Sequence, residues 1–170
     1  ITDKIKIWGH EFGFDEIGIS DININHSKKS YDDWIKSGFQ GEMHYLEKHQ
    51  DIKFNPKNLV PKTLTVISAR LNYFPKKENT LQILQDKNKA YISRYTLGRD
   101  YHKVIRGKLK KITKKLKEEV KNISFNSRVF TDSAPVLEVE LAEKAGLGWR
   151  GKHSLLLNKD NGSWFFLGEI

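Results

Sequence analysis

Residues 128–170 read RVFTDSAPVLEVELAEKAGLGWRGKHSLLLNKDNGSWFFLGEI, and the fold turns on this run. Residues 128–131 are β-rich and stop at Asp132-Ser133, and Pro135 then stands where a first helical turn tolerates it. The expectation is a strand feeding a helix over residues 135–145, with Asp132 at the helix N-terminus as a cap. Val136, Leu137, Val139, Leu141, Ala142 and Ala145 cover much of its circumference, which predicts a mostly buried helix. Residues 146–151 fit G-x-G-x-x-G letter for letter, but the dinucleotide fingerprint needs a strand before it and a helix after it. Here a helix precedes and the β-rich residues 153–157 follow, so nicotinamide binding is rejected. A helix stop, or a loop whose bare backbone can approach a ligand closely, remains.

Working outward, residues 154–157 and 164–167 are joined by NKDNG, a hairpin-like connection. Upstream, Val104, Ile105, Leu109, Ile112, Leu116 and Val120 recur at three- and four-residue steps, predicting a long helix from Tyr101. Its other face is a comb of lysines, readable as a solvated face or a phosphate-tracking surface. Residues 63–73 (TLTVISARLNY) predict an interior strand closed by Pro75, and residues 90–95 a further strand. Residues 76–89 are polar and predict a surface excursion with one helical turn over 81–84. Residues 2–12 are helix-periodic with Gly13 as a stop; residues 14–20 alternate as a strand; 21–30 read as loop and 31–36 as helix. Strands interleave with helices, so the fold class is α/β: a single domain with a mixed central sheet flanked by helices.

The chain has 170 residues, 38% hydrophobic, with a formal net charge of +9, enough for one domain and too few for two. The positive balance favours a polyanionic partner such as nucleic acid. There is no cysteine, which removes disulfides and thiolate-held metals or clusters from this chain. The six histidines show no H-E-x-x-H or Cys/His spacing, so no protein-built metal site is expected. No apolar run approaches the roughly 20 residues of a membrane span, and residues 1–13 do not read as a signal peptide. A cytoplasmic protein with no membrane partner is expected.

Asp100, His102 and Asp132 form the candidate polar cluster, because each lies where a β-rich run gives way to a helix, and ligand sites in α/β folds gather at strand ends. Capping and exposed first-turn positions explain the same residues without catalysis.

FTDSAPVLEVELAEKAGLGWRGKHSLLL followed by GSWFFLGEI resembles the epoxyqueuosine reductase family, cobalamin-dependent iron–sulfur enzymes of tRNA queuosine biosynthesis. GEMHYLEKHQDIKFNPKNLVP at residues 41–61 and SRYTLGRDYHKVIRGKLK at 93–110 agree in order. The resemblance implies that Asp132, in the D-[ST]-A-P motif, is the proton donor beside the cobalamin, and that Asp100 and His102 of R-D-Y-H serve the substrate. It implies a cofactor held by Lys53, Ser93, Asp132, Gly151, Lys152, His153, Ser154 and Leu156. Lys53 stands where arginine is common and His153 where asparagine is; the first change keeps the charge and loses the bidentate fork.

The family continues after the W-F-F-L-G-E-I match into a ferredoxin-like portion with cysteine ligands for two [4Fe–4S] clusters. The expectation is therefore that residues 1–170 are the N-terminal cobalamin- and substrate-binding domain of a longer, monomeric enzyme whose partner is tRNA bearing epoxyqueuosine. A corrinoid reductase of another substrate, such as an organohalide, and a basic RNA-binding module without cofactor are the alternatives.

Overall fold

The computed structural model describes residues 1–74 and 80–170. The chain runs α1 (Thr2–Glu11), β1 (Glu16–Asp21), α2 (Lys28–Lys36), α3 (Gln50–Phe54), β2 (Thr65–Asn72), α4 (Thr80–Gln85), α5 (Tyr101–Glu119), α6 (Glu138–Lys144), β3 (Trp149–Arg150), β4 (Leu156–Leu157) and β5 (Phe165–Glu169). The main sheet has the order β1-β2-β5. β2 is its centre, with Ile17 opposite Ala69 and Ser68 opposite both Gly18 and Glu169. The interior strand expected over 63–73 is thus present. All ladders among the described residues are antiparallel, so helices and strands share one fold as expected, but the sheet is not mixed in strand direction.

Alternation along β2 divides the core. Ile67 and Ala69 face α1 and α5, in a cluster with Ile5, Phe14, Ile17, Ile105, Leu109 and Ile112. Val66 faces the other way, with Leu141 of α6, Ile24 and Phe54. The sheet is therefore covered on both faces. Gly168 makes the α5 packing possible: a Cβ there would meet Ile105 Cγ2 at 2.6 Å and Leu109 Cδ1 at 3.1 Å.

α5 forms as its periodicity predicts, and its lysine comb divides in two. Lys108, Lys111 and Lys115 lie over the rings of Phe14, Phe12 and Trp8, respectively 5.5, 5.8 and 5.8 Å from the centroids, and Lys115 also pairs with Glu11. These three are part of the seam with α1 and the residues just after it rather than a solvated face. Lys110, Lys114 and Lys117 lie on another side and, with Arg128, line a groove of about 500 Å³.

Four expectations are corrected. Residues 90–95 form no strand: Tyr91 and Ile92 are 40% and 58% exposed with no sheet face to cover them, and the chain makes a 3-10 turn at Arg94–Thr96. The helix expected from Pro135 begins at Glu138. Its start is delayed because Ser133, Ala134 and Val136 donate their amides two residues back, to Thr131, Asp132 and Ala134. Residues 128–131 make only the isolated bridge Phe130–Glu169. The expected hairpin keeps its turn, closed by reciprocal Asn158–Gly162 bonds, but its arms diverge, β4 to β3 and β5 to β2. The expected turn over 81–84 is α4, whereas Pro75 and residues 76–79 lie outside the described residues. No helix among the described residues is long and apolar enough to cross a membrane.

Candidate active site

The first turn of α5 and the loop before α6 meet at the end of β5. Asp100 caps α5: its Oδ1 accepts the His102 amide at 3.0 Å and lies 2.9 Å from His102 Nδ1. The Tyr101 ring stacks on Phe166 of β5, 4.1 Å between centroids and 5° between planes, and on the imidazole of His102 at 3.9 Å. Opposite them, Phe130 is bridged to Glu169 and Thr131 Oγ1 donates to Leu167 O at 2.9 Å, so the chain is anchored to β5 until it reaches Asp132. Asp132 Oδ2 accepts from Tyr101 Oη at 3.0 Å and lies 3.1 Å from His102 Nε2. The three residues expected to cluster are brought together.

Asp132 is not the helix cap that the sequence suggested. It has φ +60°, a left-handed conformation that Asp tolerates better than most residues but that still carries strain. Its amide donates to Glu138 Oε1 at 2.6 Å, and Arg106 holds the next residue by donating to Ser133 Oγ at 2.6 Å.

Both imidazole nitrogens of His102 face carboxylates, which favours the doubly protonated ring. The bond to Asp132, helped by Asp100, raises the His102 pKa against the opposing effect of burial. The hydrogen bond from His102 holds Asp100 below the usual carboxylate range. Burial, followed by the bond to Asp132, pushes Tyr101 up to about 12, so the phenol remains a donor. Behind Asp132, burial raises the Glu138 pKa and raises that of fully buried Glu169 still further, with the Glu138 charge adding to the second shift.

A cleft of about 260 Å³ opens beside Asp132, walled by Tyr73, Tyr95, Tyr101, Phe165 and Phe166 and closed by Leu155 and Leu156. Leu156 is 2% exposed, whereas Leu155 and Tyr95 stand about half out of the surface, at 51% and 49%. Exposed apolar side chains beside a cleft mark a place where a large apolar partner can lie.

Of the expected cofactor residues, Leu156 therefore lies at the cleft. Gly151, Lys152, His153 and Ser154 form the turn leading to it, closed by Ser154 N–H to Gly151 O at 3.0 Å. Gly148, by contrast, serves strand packing: a Cβ there would sit 2.0 Å from Leu157 O. Ser93 is exposed and precedes the Arg94–Thr96 turn. Lys53 is buried away from the cluster, its ammonium donating to Tyr31 Oη at 2.7 Å and Leu46 O at 2.6 Å. Tyr101, Glu138 and Glu169 were not singled out from the sequence. Tyr101 stands between the two residues that were, which was the available signal; nothing local in the sequence marks the two glutamates.

A family model described as "Epoxyqueuosine reductase QueG, DUF1730" matches residues 53–133. The epoxyqueuosine reductase of Aliivibrio fischeri is 49% identical over all of this chain, which covers 45% of that protein. The structure of epoxyqueuosine reductase from Streptococcus thermophilus superposes with TM-score 0.84 at 25% identity, over 99% of this chain and 45% of the other. An epoxyqueuosine reductase crystallised with an epoxyqueuosine-modified tRNA stem loop shares the fold, at TM-score 0.79 and 22% identity, over 99% of this chain and 44% of the other. The chain thus spans a little under half the length of the relatives it matches.

Proposed function

Since this chain belongs to the epoxyqueuosine reductase family, we propose that it is the N-terminal cobalamin- and substrate-binding domain of an enzyme reducing epoxyqueuosine to queuosine in the tRNA wobble position. The observation that carries the reading is the Asp132–His102–Tyr101 cluster at the mouth of an aromatic cleft. Relatives about twice as long and the absence of cysteine support placing two [4Fe–4S] clusters in a further C-terminal portion. The enzyme works as a cytoplasmic monomer on this reading.

The half-exposed Leu155 and Tyr95 and the turn at residues 151–154 fit an extended apolar macrocycle with polar edges. Gly151, Lys152, His153, Ser154 and Leu156 would hold the cobalamin, with Ser93 and Asp132 at its border. Lys53 contributes by fixing the 46–54 segment through Tyr31 and Leu46. Cobalamin, when bound, supplies the reducing centre that passes electrons to the epoxide.

Opening the epoxide to an alkene takes two electrons and two protons and releases the oxygen as water. Asp132 is the group placed to deliver a proton to the departing oxygen. His102, charged between two carboxylates, resupplies Asp132 through Nε2, while Asp100 holds Nδ1 and thereby the ring orientation. The Tyr101 phenol keeps the Asp132 carboxylate aimed. The substrate RNA lies along the groove lined by Lys110, Lys114, Lys117 and Arg128.

Equilibrium dialysis against cobalamin at tens of micromolar protein tests the cofactor. Retention supports the reading; failure to retain cobalamin would return the chain to the status of a basic RNA-binding module.

A further inference from the structure

Behind the catalytic loop, Glu169 is 1% exposed, and neither of its carboxyl oxygens meets a hydrogen-bond donor among the described residues. An ionised carboxylate in that position would be uncompensated, which strongly favours the protonated form. Arg70, buried on the same face of the sheet, places Nη2 2.9 Å from Glu16 and its guanidinium over the Phe165 ring, and its Nε and Nη1 have no hydrogen-bond partner among the described residues, Glu169 included. The start of α6 packs over β5, and the Glu138 carboxyl there is the charge that bears on Glu169. Two carboxyl groups in contact become a hydrogen bond when they hold one proton between them, and repel when they hold none.

The remaining contact of Glu138 decides where that proton belongs. Its Oε1 accepts the Asp132 amide at 2.6 Å, and an anionic oxygen is the stronger acceptor. We propose that Glu169 and Glu138 share a single proton, donated from Glu169, and that the charge this leaves on Glu138 fixes the left-handed turn presenting Asp132 to His102 and Tyr101. Both are positioning residues: they act through the Asp132 peptide, and neither touches the reacting atoms. Because Asp132 has φ +60°, its backbone relaxes when the amide is released, and its carboxyl leaves the imidazole.

The groups facing Glu138 are Glu169 from β5, Asp132 from the loop, and His102 and Tyr101 from α5. Burial favours the shared proton and the Glu138 charge strengthens the hold of Glu169 on it, whereas on Glu138 the bonds from Glu169 and the Asp132 amide favour the anion, the Asp132 charge opposes it and the His102 charge supports it. The pair therefore holds its proton beyond the ordinary carboxylate range and opens as pH rises through the raised Glu169 value.

The proposal rests on the proposed function only for what Asp132 does once it is positioned, so the test has an arm independent of turnover. In the ¹⁵N-labelled chain, the Asp132 amide resonance and its hydrogen exchange are followed against pH in wild type, Glu169→Gln and Glu169→Leu. The wild-type amide is expected downfield and protected, changing in one step as pH rises. Glu169→Gln supplies a permanent N–H donor to Glu138, so it keeps the protection and abolishes the step. Glu169→Leu removes the donor, and protection should fall by about ten-fold or more, as for a broken hydrogen bond to a charged group.

In cobalamin-loaded enzyme, kcat should survive in the Gln variant and fall about ten-fold in the Leu variant at unchanged KM. A step that persists in Glu169→Gln, or an amide identical in all three proteins, overturns the proposal; if the Leu variant does not fold, the Gln variant still decides. An amide that behaves as described in a protein inactive on epoxyqueuosine leaves the positioning intact and refutes the function instead.

Discussion

Replacing Asp132 with Asn keeps the size of the side chain and removes a negative charge together with a transferable proton. The structural cost follows from exposure. The Asp132 side chain is 64% exposed and that of His102 33%, so their contact ranks with surface pairs, at about 0.5–1 kcal/mol. Asn can still accept from Tyr101 through its Oδ1. The loss of function should be much larger, about 10²–10⁴-fold in single-turnover rate, as for a missing general acid.

A third readout ties the two together. His102 owes its raised pKa first to Asp132, so an NMR titration of Asp132→Asn should show the imidazole pKa lowered. The sign for stability follows, since a pKa raised on folding stabilises below the unfolded value and ceases to do so as pH rises through the folded one. Wild type should therefore exceed the variant most below about pH 6.5, the ordinary histidine value, and the two should converge as pH climbs through the folded His102 value. Urea denaturation at a series of pH values measures this. Near-normal turnover in a folded, cobalamin-retaining Asp132→Asn protein would refute the proton-donor role and move it to His102.

Converting Lys110, Lys114 and Lys117 together to Gln should weaken binding of the substrate tRNA and flatten the salt dependence by about 0.7–0.9 for each phosphate left without its lysine, while Lys111→Gln and Lys115→Gln should act on thermal stability, because these lysines pack on α1. Filter binding across a salt series separates the two sets. Gly168→Ala would press a methyl against Ile105 and Leu109 and should destabilise by about 1–3 kcal/mol, measured by denaturant unfolding. Lys53→Met breaks the bonds to Tyr31 and Leu46 and should cost about 1–3 kcal/mol, with cobalamin retention falling only as far as folding does; a disproportionate drop in retention would place the ammonium on the cofactor.

The elements legible in the sequence were those whose burial leaves a periodic trace. α1, β2 and α5 each bury a regular face, and each stands close to its expected boundaries. Residues 90–95 carried strand-forming side chains but had no neighbouring strand to pair with, and local composition cannot report a missing neighbour. The helix over 135–145 was misjudged at its start because the left-handed Asp132 and the tight turns after it depend on Glu138 and Arg106, contacts made across the fold. Asp100, His102 and Asp132 could be grouped because each ends a β-rich run. Glu169 reads in sequence as one polar position in an alternating strand, and only the placement of α6 over β5 shows that it has nowhere to put a charge.

The strand order has a consequence during synthesis. β2, the central strand, can pair with β1 as soon as it leaves the ribosome, but its other edge waits for β5, whose Glu169 lies about a hundred residues after its partner Ser68. At roughly 5–20 residues per second, that edge stays open for several seconds, long enough to recruit a strand from another nascent chain. A chaperone that shields extended apolar segments should raise the soluble yield, and slowing translation between α3 and β5 should lower it.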